Sequence, residues 1–159
     1  MTTKKQQTVQ EWFRSQVPDG WFTAPVEVTA DAEEILVLGT LPDDAKVRAF
    51  REETRDARVR IAGEAEERFG RAVSWGVRSG GDDDAATYLF THLNVPVMTR
   101  LRQRERVVLD TLVASGVARS RSEALAWCVR QVGERDAAWL DELRAALVKV
   151  DQVRATRPA

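Results

Sequence analysis

Residues 95–131, VPVMTRLRQRERVVLDTLVASGVARSRSEALAWCVRQ, constrain the fold most, because the apolar period changes inside this stretch and explicit breaks mark the changes. Val97, Thr99 and Leu101 alternate with Met98, Arg100 and Arg102, the period of two expected of a half-buried strand. Helical spacing follows. Val108, Leu109, Leu112 and Val113 fall on one stripe, and Gly116 stands where a left-handed cap would stop the helix. Ser120-Arg121-Ser122-Glu123 has the form of a capping box, in which the Ser120 hydroxyl accepts from the Glu123 amide and the Glu123 carboxylate reaches back. Behind it, Ala124, Leu125, Trp127, Cys128 and Val132 supply a second apolar face. One strand and two short helices bury too little on their own. The segment is therefore expected to pair with a second copy, strand against strand, as an obligate dimer through residues 95–102.

The Thr99-Arg100-Leu101 strand core, the Leu109-x-x-Leu112 helix, Gly116 and the Ser-Arg-Ser-Glu-Ala run at 120–124 occur in the order and spacing of a known motif. On these residues the segment 95–133 resembles the ribbon-helix-helix DNA-binding domain of repressors of the Arc, MetJ and CopG kind. The resemblance implies a homodimer whose two-stranded ribbon enters the major groove of double-stranded DNA. Met98, Arg100 and Arg102 would form the exposed face of that ribbon. An arginine there can bond a guanine edge through two hydrogen bonds. Position 98 is Met where the family commonly has a polar base-reading residue, so its contact would be with a thymine methyl. The start of the second helix offers free amides together with Arg119, Ser120, Arg121 and Ser122, a phosphate clamp.

The charge follows the same division. The net charge is −1, yet residues 1–94 hold 12 Lys/Arg against 17 Asp/Glu, and residues 95–135 hold 8 against 4. An electrostatic footprint is judged per domain, and the basic segment coincides with the strand and two helices. Apolar content of 43% with 31% charged residues is that of a soluble globular chain. No run approaches membrane-spanning length, and MTTKKQQT at the start lacks the apolar segment of a secretory signal. With one cysteine, Cys128, no internal disulfide forms, and a cytoplasmic location is expected.

Three regions are expected: a small α+β domain at 8–93, the ribbon-helix-helix segment at 94–133 and a C-terminal helix at 134–157. In the first, a short helix starts at a Thr8 cap and carries Val9, Trp12 and Phe13. Residues 21–29 and 34–41 read as a hairpin turning at 30–33, and a long continuous helix covers 43–69. Its predicted apolar stripe is Val47, Phe50, Ala57, Ile61, Ala65 and Phe69, with Arg48, Arg51, Arg55 and Arg58 among the charged residues opposite. Residues 72–78 alternate as a third strand, the sheet is expected to be antiparallel, and Asp84 is expected to cap a short helix at 85–93. A break at 133–135 precedes the last helix, capped by Asp136, with Trp139, Leu143, Ala146, Leu147, Val150 and Val153 on one face.

Catalytic chemistry is not expected. His92 is the sole histidine and Cys128 the sole cysteine, too few for a common zinc site. Gly80-Gly81-Asp82-Asp83-Asp84 clusters carboxylates without the spacing of a calcium loop and reads as a solvated turn. There is no Gly-rich phosphate loop or serine-nucleophile motif, so no cofactor is expected. The expected function is that of a homodimeric DNA-binding regulator. Two alternatives share the fold. In one, the ribbon-helix-helix segment only dimerises, and the N-terminal domain binds RNA or protein; its element order is similar to small KH-like layers but lacks their Gly-x-x-Gly loop. In the other, the chain is an antitoxin whose final helix clasps a protein partner.

Overall fold

The computed structural model describes residues 3–79 and 86–156, with side chains described from residue 8 onward. Two compact units divide the chain, Met1–Val95 and Pro96–Ala159. The fold class is α+β, as the sequence predicts: the described residues form six helices and one four-stranded sheet.

The first unit opens with α1, Thr3–Gln16, which begins upstream of the predicted Thr8 cap. Lys and Gln are good helix formers and carry the helix back past that residue. Val9 and Phe13, one turn apart, are buried in the core. The predicted strand from residue 21 shortens to β1, Glu27–Ala30. Pro25 cannot donate to a ladder, and the aromatic rings before it are engaged in packing instead. Trp21 meets Phe50 edge-on with centroids 5.5 Å apart, and Phe22 lies over Gly39, where a Cβ would come within 2.1 Å of the ring. Asp31 turns the chain by accepting from the Glu33 and Glu34 amides, each at 2.8 Å. Those two bonds hold its carboxyl below the usual carboxylate range. Next comes β2, Glu34–Leu41, with the predicted bounds, and Ile35, Val37 and Leu41 turn inward at every second position.

The expected single long helix is in fact two, α2 at Ala45–Glu53 and α3 at Arg55–Phe69. Thr54 causes the break. Its hydroxyl donates to the Phe50 carbonyl at 2.6 Å, a competition with the helix's own bonding that bends helices. Gly70 ends α3 in the left-handed conformation, φ 66°, as predicted. Arg58 is a correction. Its spacing and charge predict the outer face, yet it is only 6% exposed.

The third strand, β3 at Ala72–Ser79, pairs with β2 in parallel from Glu34↔Ala72 to Leu41↔Ser79. The sheet is therefore mixed, not antiparallel. A helical crossover between two strands is the usual way to bring them together in the same direction. The expected helix at 85–93 is also overturned, because Ala86–Leu89 is a strand, β4, antiparallel to β3. Pairing continues past its end, where the Phe90 amide donates to the Trp75 carbonyl at 2.8 Å. The Thr91 hydroxyl accepts from the Trp75 amide at 3.2 Å. The 80–84 loop, with its Asp84 cap and carboxylate cluster, lies outside the described residues. Sheet order is β1-β2-β3-β4. Phe13, Ile61 and Ala65 from the helices close over Ile35, Val37, Val73 and Trp75.

The second unit begins without a strand. Residues 96–102 have no sheet partner, and Val97 and Met98 are 84% and 95% exposed. The predicted strand thus does not form within a single chain, since a strand needs a neighbour for its amides and carbonyls. Helix α4, Gln103–Ala114, starts with the Glu105 carboxylate accepting from the Arg102 amide. It ends at Gly116, φ 79°, the predicted left-handed cap. Helix α5, Arg121–Arg135, runs through the predicted break. One interior glycine costs only about 1 kcal/mol, so Gly133 alone does not stop it. The break comes at Asp136. From there α6, Ala137–Ala155, forms the longest helix among the described residues and buries none of its side chains. Asp136 occupies the predicted cap position but makes no side-chain capping bond. Leu109, Ala118 and Ala124 are the buried core of this unit, flanked by Leu101, Leu112, Val113, Leu125 and half-buried Cys128.

Candidate nucleic-acid interface

Of the predicted DNA-contacting residues, Met98 from the chain leading into α4 and Arg121 and Ser122 from the start of α5 line one cavity. Met98, Arg100 and Arg102 are all exposed. Residues 96–100 make no hydrogen bond to any described residue, so their backbone groups are free for a partner. That cavity, of about 330 Å³, is lined also by Val97, Leu101, Leu109 and Leu125. It is an open apolar seat between this segment and the two helices.

The α5 cap forms in part as predicted. The Ser120 hydroxyl accepts from the Glu123 amide at 3.2 Å. The Glu123 carboxylate, however, reaches one residue further back than expected. It takes the Arg119 amide at 2.8 Å and the Arg119 Nε at 3.1 Å. The guanidinium pulls the Glu123 carboxyl down, and the carboxylate pushes Arg119 up. The amides of Arg121 and Ser122, in the first turn of α5, have no intrahelical acceptor. Ser120, having accepted one bond, keeps its own O–H to donate.

Arg121 was expected to face phosphate with a free guanidinium. Its Nε and Nη2 instead grip both oxygens of Asp110, at 2.6 and 2.8 Å. That fork ties α5 to α4 and holds the Asp110 carboxyl below its usual range. Asp110 is the member of this arrangement that reading the sequence missed. It stands eleven positions before its partner on another helix, and no local spacing signals such a pair. Among the described residues, no three His, Cys, Asp or Glu side chains converge to hold a metal ion.

Comparison with known proteins divides the chain in a similar way. A model described as the N-terminal domain of Rv1265-like proteins matches residues 7–85. One described as the Mb1296 C-terminal domain matches residues 102–154. Among curated proteins, Mb1296 of Mycobacterium bovis and Rv1265 of Mycobacterium tuberculosis, both described as uncharacterized, are each 51% identical over 160 residues. The alignment spans 93% of this chain and 69% of each relative. The chain belongs to the Rv1265-like family. No solved structure matches it. In this Rv1265-like chain the first match covers the helix-and-sheet unit through β3, and the second covers α4 and α5 and most of α6. Residues 86–101, which hold β4 and Arg100, lie between the two.

Proposed function

We propose that the chain is a homodimeric double-stranded-DNA-binding protein, a transcriptional regulator of ribbon-helix-helix type. The observation that carries this reading is the segment 96–102, which has no sheet partner, holds exposed Arg100 and Arg102 and leads directly into a helix pair with a three-residue core. Two such segments, paired antiparallel, would satisfy each other's backbone groups and bury Val97 and Leu101. They would then present Met98, Arg100 and Arg102 from both copies on one face. A ribbon of that width fits the major groove. The Arg121 and Ser122 amides and the Ser120 hydroxyl then face phosphate, with Arg119 beside them. Asp110 holds Arg121 in place, so Arg121 acts there through its backbone more than its charge. The role is binding, without catalysis or a cofactor, and the single cysteine fits a cytoplasmic setting. No described helix is long and apolar enough to cross a membrane.

A second reading draws on the same ion pairs. With Arg119 and Arg121 each spent on a carboxylate, the helix pair would serve only for dimerisation, and the first unit would bind RNA or protein. Replacing Arg100 separates the two. Sequences enriched from genomic DNA bound to the protein supply the specific site, with scrambled DNA as reference at one fixed salt concentration. Arg100→Ala leaves the dimer folded. It lowers specific binding by at least ~30-fold, since each site loses two arginines at roughly 1–3 kcal/mol apiece, while non-specific binding falls less. A folded mutant dimer with unchanged preference would move the function to the first unit.

A further inference from the structure

A second site lies wholly within the first unit, in a cleft of about 730 Å³ between α2 and β4. Val47, Arg48 and Arg51 line it from α2, and Tyr88, Phe90 and His92 from β4 and the residues after it. That volume suits a small-molecule ligand. The unusual feature is the charge against its floor. The Arg58 guanidinium stands 4.7 Å from the Phe90 ring centroid and that of Arg51 stands 5.7 Å from the same ring. Arg58 is buried, and its own bonds go to neutral oxygens: the Thr54 hydroxyl at 3.0 Å and the Arg51 carbonyl at 2.7 Å.

No described carboxylate forms an ion pair with Arg48, Arg51, Arg55 or Arg58. Burial holds Arg58 below the usual guanidinium range, and the charges of Arg51 and Arg55 push the same way. Two carboxylates do reach the cleft. Asp44 is taken up by the Ser79 hydroxyl and the Tyr88 phenol, and Glu52 only weakly offsets the Arg58 charge. A buried cation without a paired anion is costly to hold, and here it adjoins an open cleft with further arginines at the rim.

We infer that this cleft binds a small aromatic anion, its phosphate or carboxylate held by Arg51 and Arg48 and its ring laid against Phe90 and Tyr88. The inference is independent of the DNA reading, which concerns residues of the other unit. It is tested on the full chain with phenyl phosphate, benzoate and neutral phenol as probes, read by melting temperature and by the NMR signals of Tyr88 and His92. At millimolar concentration, phenyl phosphate or benzoate raises the melting temperature and shifts both signals, and phenol does neither. The anion that binds more tightly identifies which acidic group the arginines prefer. Arg51→Gln, at the exposed rim, weakens binding at least ~10-fold, the loss of one charge-assisted contact. Arg60→Gln, an exposed change on α3 outside the cleft, leaves binding as it was. Silence of both anions, equal shifts from phenol, or undiminished binding by a folded Arg51→Gln chain would overturn the proposal.

Discussion

The two units solve the problem of burying apolar surface in opposite ways. In the first, Phe13, Ile35, Val37, Ile61 and Trp75 meet in one cluster, because a four-stranded sheet offers a broad face for α1 and α3 to cover. Among the described residues of the second, three are buried, and Trp139 and Leu147 stand 57% and 62% exposed on α6, which buries none of its own side chains. The first unit closes its core within one chain; the second leaves Val97, Trp139 and Leu147 exposed, and the proposed dimer would cover the first of these. A short helix pair with a single unpaired segment lacks the area to do otherwise.

The comparison breaks most visibly at the first core. Phe13→Ala removes a fully buried ring at a cost of about 3–5 kcal/mol. Because that core is closed within one chain, the loss appears at every protein concentration. Chemical denaturation followed at two concentrations checks this, and a loss that vanishes at the higher one would mean the first core also depends on association. Val97→Lys does the reverse. It leaves the first unit's melting unaltered but weakens the dimer roughly 100-fold, two side chains at about 1.5 kcal/mol each. Dilution followed by light scattering measures the change. An unaltered dimer would place the interface elsewhere.

Smaller effects sharpen the picture of the second unit. Ser120→Ala removes the bond from the Glu123 amide and costs about 1 kcal/mol of stability. DNA affinity falls further than the loss of folded protein explains if the hydroxyl and amides grip phosphate. Equal losses would leave Ser120 a cap alone. The Asp110–Arg121 fork is exposed, so its contribution is the smallest. Asp110 has its pKa lowered in the folded chain, so its stabilisation is present above the ordinary carboxylate pKa and fades as pH falls through the lowered value. Asp110→Asn therefore lowers stability slightly at neutral pH, and its difference from the wild-type chain closes on the acid side as pH falls through the lowered value. An acid limb as steep as before would show the fork to be energetically idle.

Local chemistry was legible in the sequence. The alternation of residues 34–41 gave β2 its bounds, Gly70 and Gly116 stopped their helices, and Ser120 capped α5, because each signal acts within a few residues. What depended on distant partners was not legible. Ala86–Leu89 is too short for its alternation to outweigh a helical reading, and pairing with β3 decides it. The kink at Thr54 and the burial of Arg58 hid in a residue-type bias. Phe50, Thr54, Arg58, Ile61 and Ala65 do follow helical spacing, but a threonine and an arginine do not read as inward-facing by residue type. Of the candidate interface, Arg100 and Arg102 are exposed, but so are Val97 and Thr99, so alternation does not set the two faces apart in a single chain; the engagement of Arg121 by Asp110 required knowing how two helices pack.

Sedimentation equilibrium on the intact chain at micromolar concentration tests the central claim, that a second copy completes the second unit, most directly. The account predicts a species of twice the chain mass, which Val97→Lys converts to single chains that keep the first unit folded. A folded wild-type chain that sediments only at the mass of one copy would contradict it.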